Sequence, residues 1–126
     1  MQFLCLAYEE EDMLNALSET AWEALKRETV AYVDDLEARG HLVVTRALES
    51  VATARTVRVR RDALLVTDGP FAETKETLGG IFLIEARDID EAVQIAARWP
   101  SARFGSIEVR PTLAALRSGS RYGPAA

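Results

Sequence analysis

Cysteine is almost absent. Cys5 is the only one in 126 residues, so no intrachain disulfide can form and nothing calls for an oxidising compartment. Basic residues are in deficit, 15 Lys and Arg against 20 Asp and Glu, for a net charge of −5. That balance argues against a general nucleic-acid binder, which needs clustered cations to neutralise phosphates. It also argues against attachment to an anionic membrane surface. No apolar run approaches the ~20 residues that span a bilayer. The opening Met1-Gln2-Phe3-Leu4-Cys5-Leu6-Ala7-Tyr8 has no basic leader and runs into four acids, unlike a signal peptide. The expected location is the cytoplasm. At 13.9 kDa there is room for one hydrophobic core. With 48% hydrophobic residues the chain is too apolar for disorder.

Against these absences the chain offers clear periodicity. Phe3 to Tyr8 reads as a strand without in/out alternation, so both of its faces are expected to be covered. Glu9 to Asp12 reads as an acidic loop. Trp22, Leu25, Thr29, Tyr32, Val33 and Leu36 recur at helical spacing, with a capping box from Thr20 and Glu23, Ser18 as the competing cap, and Gly40 as the left-handed stop. A strand follows from His41 to Leu48. Thr56 to Arg60 and Ala63 to Thr67 suggest a hairpin turning at Arg61-Asp62, although that turn lacks glycine. After a loop from Asp68 to Leu78, Gly79 to Ala86 is again apolar on both sides. Asp88 and Glu91 open a second helix that packs Ala92, Val93, Ala96 and Trp99 and ends at Pro100. Ser106 to Arg110 is the last strand, so the domain is read as residues 1–111 and residues 112–126 as a flexible C-terminal tail.

Without the hairpin the order is β-α-β-β-α-β, the split arrangement of a ferredoxin-like α+β fold with a β-hairpin inserted. Two helices cover one face of such a sheet, whereas the first and third core strands carry large apolar residues on both. Leaving five or six of them wet would forgo about 1.5–3 kcal/mol each. A second copy laid face to face, a two-fold homodimer forming a dimeric α+β barrel, is the economical cover. The alternative is that the hairpin or the tail folds across the open face.

The most distinctive stretch is Thr67-Asp68-Gly69-Pro70-Phe71-Ala72-Glu73-Thr74-Lys75-Glu76, closing on Leu78-Gly79-Gly80. With the Val57-Arg58-Val59-Arg60 hairpin, Asp90-Glu91-Ala92 and Glu108-Val109-Arg110-Pro111, it resembles the DGPF-type branch of the YCII-related family over nearly the whole chain. The resemblance implies a dimerising ferredoxin-like fold and, through genome context, a possible sigma-factor partner. In the wider family a His–Asp pair has been proposed as a catalytic couple. No histidine lies at the corresponding Trp22 to Glu28, so that couple is not carried over.

Asp68 is read in two ways: as an Asx turn with Gly69 and Pro70, or as an acid at a cleft mouth serving as general base or cation ligand. Together with Asp68, the residues Gly69, Pro70, Phe71 and Lys75 are the candidate ligand-binding set. Phe71 either anchors the loop or lines a pocket. His41 is the second weak catalytic candidate, titrating near neutrality if exposed, against the commoner role of a capping or surface residue. Cys5 reads as a buried hydrophobe without an activating partner. The run Glu9 to Asp12 lacks the spaced ligands of a calcium loop, and no cofactor or metal is called for. Arg55, Arg58, Arg60 and Arg61 form a basic strip that could hold an anion or guard a strand edge. Two functions stay open: a small-molecule protein, either a cofactor-independent lyase-like enzyme or a ligand sensor, and a non-enzymatic interaction module acting on a sigma factor.

Overall fold

The computed structural model describes residues 1–114; the expectation of a flexible tail falls almost wholly outside them. Strand β1 (Gln2–Glu9) leads through the short helix α1 (Glu11–Asn15) into the long helix α2 (Glu19–Ala38), then β2 (Leu42–Ala47). A pair of strands, β3 (Arg55–Arg60) and β4 (Ala63–Asp68), precedes β5 (Thr77–Glu85), helix α3 (Ile89–Ala97) and β6 (Ser106–Pro111). Four strands form one antiparallel sheet in the order β2-β5-β1-β6, while β3 and β4 pair only with each other. The result is a mixed α+β architecture with the strand order of a ferredoxin-like fold. Among the described residues no helix is long and apolar enough to cross a membrane.

Local chemistry sets the boundaries. Ser18, not Thr20, caps α2: its hydroxyl accepts from the Ala21 backbone N–H at 3.1 Å. Gly40 stops the helix with φ +77°, a conformation that costs a residue with a Cβ more than it costs glycine. Asp88 caps α3 by accepting from Glu91 N, and Glu91 reaches back to the Arg87 N–H at 2.9 Å. The turn between β3 and β4 takes positive φ at both Arg61 (50°) and Asp62 (61°), the backbone that closes a two-residue hairpin. The acids expected in a loop are instead divided between the end of β1 and the first turn of α1.

Side chains alternate across the sheet. Phe3, Cys5 and Ala7 of β1, with Phe82 and Ile84 of β5, are buried beneath α2 and α3. Leu36, Ala92, Ile95, Ala96 and Trp99 close over them, and Trp99 stacks on Phe82 with ring centroids 4.0 Å apart. Val93, expected in this layer, is exposed, and Ile95 takes the core position. On the opposite sheet face Leu4, Leu6, Tyr8, Ile81 and Leu83 are only half-buried. The strands are therefore apolar on both sides but covered by helices on one.

Helix α2 is seated unevenly. Leu36 near its C-terminus is fully buried and Tyr32 is tied down by its hydroxyl, which donates to Ile95 O at 2.7 Å. Towards the N-terminus Leu25 and Thr29 are half-buried and Trp22 is exposed. The space left under this raised half defines the site described next.

Candidate functional site

The inward row of β1 runs Phe3, Cys5, Ala7 and then Glu9. Opposite its end β5 carries a bulge: Ala7 pairs with Gly80 but Tyr8 pairs with Leu78, leaving Gly79 as an extra residue. Bulges bend a strand and re-aim its side chains. Here the Glu9 carboxylate lies over Gly79, and a Cβ added there would stand 2.7 Å from Glu9 Oε2. The absent side chain is what gives the carboxylate its seat.

Glu9 therefore ends in a cavity of about 380 Å³ between the raised half of α2 and the sheet. Trp22, Leu25, Thr29 and Val33 of the helix, Thr45, Gly80 and Phe82 of the sheet, and Trp99 and Ser101 line it. Burial pushes the Glu9 carboxyl above the usual carboxylate range, because an ion is poorly solvated there; the nearby Ser101 hydroxyl partly offsets the rise. No hydrogen bond of good geometry engages Ser101 Oγ, although the residue is only 8% exposed. An unsatisfied buried hydroxyl is costly unless something else uses it. The Thr29 and Thr45 hydroxyls donate to Leu25 O and Ile81 O, so they face the space as acceptors. An acid with a raised pKa in a cavity lined by two indole rings can bind a small molecule and move a proton on it. Cys5 lies deeper in the same row, but burial pushes its thiol up to about 12. It is not a nucleophile at neutral pH.

The cavity continues outward. A chamber of about 510 Å³ shares Glu9, Leu14, Trp22, Leu48 and Gly79 with it. A third, of about 640 Å³, shares Leu48, Glu49, Ser50 and Thr77 with the second. Pro70 and Phe71, two of the residues singled out in the sequence, line this outermost chamber together with Tyr8, Val51 and Leu78. Gly69 stands just before them with φ +92°, its N–H bound to Ala54 O and its carbonyl accepting from Thr56 Oγ1.

Other candidates are placed differently. The Asp68 side chain is 87% exposed, with Oδ1 3.1 Å from Arg55 Nε. Lys75 is exposed and lies 3.9 Å from Glu10 Oε2. His41 is half-buried, its Nδ1 2.8 Å from Glu85 O, and it lines a separate groove with Tyr32, Arg39 and Arg98. The structure thus joins Pro70 and Phe71 to the Glu9 chambers and leaves His41 apart. Among the described residues no group of His, Cys, Asp and Glu is arranged to hold a metal.

Glu9 and Ser101 escaped the sequence reading. The signal for Glu9 was present: it is the next member of the inward row Phe3, Cys5, Ala7, and a charge in a buried row needs a reason. Ser101 gave no such signal, since its position follows from the turn after α3.

Comparisons with known proteins bear on the family and the fold. An uncharacterised protein of Rhizobium meliloti strain 1021 is 36% identical over 113 residues, covering 88% of this chain and 91% of its own. A solved structure of a 5-chloro-2-hydroxyhydroquinone dehydrochlorinase from Burkholderia phenoliruptrix AC1100, in complex with 2,5-dihydroxybenzoquinone, superposes with a TM-score of 0.53. At 17% identity it covers 90% of this chain and 94% of its own, a likeness of fold. The model of the YCII-related domain matches residues 1–114. The chain belongs to the YCII-related family.

Proposed function

We propose that this protein binds and processes a small organic molecule in the cavity under α2, with Glu9 as the group that gives or takes a proton. The observation that carries the reading is a half-buried carboxyl with a raised pKa at the end of a cavity lined by Trp22, Trp99 and the Ser101 hydroxyl. A general acid or base works best when its pKa approaches the operating pH, and desolvation moves Glu9 in that direction. The dehydrochlorinase with the similar fold acts on a small ring compound, which supports a small-molecule role. The Asp68-Gly69-Pro70-Phe71 stretch, of which Pro70 and Phe71 line the outer chamber, supports a DGPF-type reading of the chain.

We also propose that two copies pair through the open sheet faces. Leu4, Leu6, Ile81 and Leu83 form a contiguous apolar surface that α2 and α3 leave uncovered. Sedimentation at micromolar concentration tests this; a stable monomer would remove the dimer.

The functional reading is tested by a thermal-shift screen of small cyclic and aromatic compounds, where a ligand at 100 times its Kd adds about 2.7 kcal/mol. Hits are expected to lose their shift in Trp22→Ala, which removes one cavity wall. For any hit that is turned over, Glu9→Gln is expected to keep binding of the neutral compound and to lower turnover about 100-fold or more. Hits indifferent to Trp22→Ala, or turnover that survives in Glu9→Gln, would overturn it.

A further inference from the structure

We infer that the β3–β4 hairpin is an arm that each protomer lays against a second copy of this chain, apolar face inward. The inference rests on the face-to-face pairing proposed above and extends it. Among the described residues β3 and β4 pair only with each other, and an isolated two-stranded ribbon is marginal in water unless something covers it. Its two faces differ. The register sets Val57 opposite Val66 and Val59 opposite Leu64, so these four share one face, while Arg58, Arg60 and Leu65 take the other. The four apolar side chains are between 53% and 67% exposed, so their own chain leaves them open to water.

Area, position and charge make a second copy the occupant. A stable interface buries about 800 Å² per partner, somewhat over half of it apolar. The half-buried row Leu4, Leu6, Tyr8, Ile81 and Leu83 can offer roughly 250 Å², at on the order of 50 Å² each, which falls short. The arm adds roughly 300 Å² and makes up the difference. Its position fits. Arg55 and Thr56 at its root line the outer chamber together with Tyr8, in the open-face row, and Leu78, the cross-strand neighbour of Tyr8. The arm thus begins at the edge of the face that the second copy covers. Stacked sheets lie about 10 Å apart and a six-residue strand extends about 20 Å, enough to pass the seam and lie on the partner. Charge agrees. Residues 55–68 carry four arginines against two aspartates, in a chain whose net charge is −5. A basic arm therefore meets an acidic body in a second copy. Arg58 and Arg61 take part in no salt bridge among the described residues and are available to it.

Sedimentation and amide hydrogen exchange of the full chain test this together. Wild type is expected to dimerise at micromolar concentration, with the amides of β3 and β4 gaining protection in step with the dimer fraction. The double variant Val59→Asp, Leu64→Asp changes two exposed side chains and leaves the core untouched. It should weaken the pair at least 100-fold with an unchanged circular dichroism spectrum. Leu6→Asp, on the sheet face, should dissociate the pair as well. A dimer that tolerates the arm substitutions would overturn the arm and leave the face-to-face pairing standing. So would arm protection that is the same at every concentration, which would mean that the arm lies on its own chain. A dimer lost in the arm variant but kept in Leu6→Asp would overturn the face-to-face pairing and keep the arm as the contact. A monomer throughout would overturn both. Arm-dependent co-sedimentation with phosphatidylserine vesicles would give the basic hairpin to a lipid surface and overturn the arm.

Discussion

Two carboxylates, Glu9 and Asp68, each end a strand, yet their surroundings are opposite. Asp68 points into water beside Arg55. Glu9 points under a helix, in none of the salt bridges among the described residues and with its pKa raised by burial. Water reaches most of the Asp68 side chain, which is 87% exposed. At Glu9 the fold removes part of that water, and burial shifts the carboxyl towards its protonated form. The difference teaches that an unusual sequence and a perturbed site need not coincide. The loop around Asp68 is distinctive as a string of residues, whereas the site at Glu9 is distinctive only once the bulge and the raised helix are in place.

The aromatic residues of the two regions allow the largest test of this contrast. Trp99 is buried and stacks on Phe82, with Tyr32 edge-on at 6.1 Å. Phe71 is 79% exposed. Trp99→Ala should cost about 3–5 kcal/mol in urea-induced unfolding, the range for emptying a core aromatic position. Phe71→Ala should stay within about 0.5 kcal/mol. A large loss at Phe71 would mean that its ring is buried in the working assembly, and the two regions would no longer be separable in this way.

A smaller effect probes Glu9 through its neighbour. A Cβ at Gly79 meets the far end of a flexible side chain, so Gly79→Ala should cost no more than about 1 kcal/mol, with the carboxyl swung off its seat. The signature is pH dependence. Because the folded pKa of Glu9 lies above its unfolded value, the native state holds the extra proton between the two. Stability contributed by this group is therefore lost as pH rises through that window. The lowered pKa values of Glu28, beside Arg103, and of Glu85, beside Gln2 and the N-terminal ammonium, act in the opposite sense at lower pH. Comparison with Glu9→Gln isolates the Glu9 contribution. Wild type should lose stability relative to Glu9→Gln as pH rises from the ordinary carboxylate range, and Gly79→Ala should show little of that loss. An unchanged slope in Gly79→Ala would show that Gly79 does not seat the carboxyl.

The fold was legible because it rests on local periodicity and caps. Trp22 to Leu36 repeats at helical spacing, Asp88 with Glu91 marks a helix start, and Gly40 marks a stop; each acts within one turn of chain. The inside layer was less legible. Val93 and Ile95 are equally apolar, and only the angle at which α3 meets the sheet decides that Ile95 goes in. The site was largely illegible. Glu9 stands among four consecutive acids, which read as solvated when counted by composition. Its burial comes from the bulge at Gly79, from the tilt of α2 and from Ser101 some ninety residues away, contacts that no local pattern carries. Pro70 and Phe71 could be found because turn chemistry and a lone aromatic are visible in the string itself.

The smallest effect is expected at the residue that looked most chemical. Asp68→Asn keeps the shape of the side chain and its capacity to accept a hydrogen bond, and removes only the charge facing Arg55. Exposed ion pairs contribute about 0.2–1 kcal/mol, because water screens them and two flexible side chains must be ordered. An 87% exposed carboxylate belongs at the low end of that range. Unfolding of Asp68→Asn should thus be nearly superimposable on wild type, still closer in 0.5 M salt, and any ligand found for the cavity should bind with unchanged affinity. The stability and affinity measurements together decide the matter. A lost affinity with intact stability would move the functional acid from Glu9 to Asp68. Loss of both would instead make the Arg55–Asp68 pair a clasp that holds β3 and β4 in register.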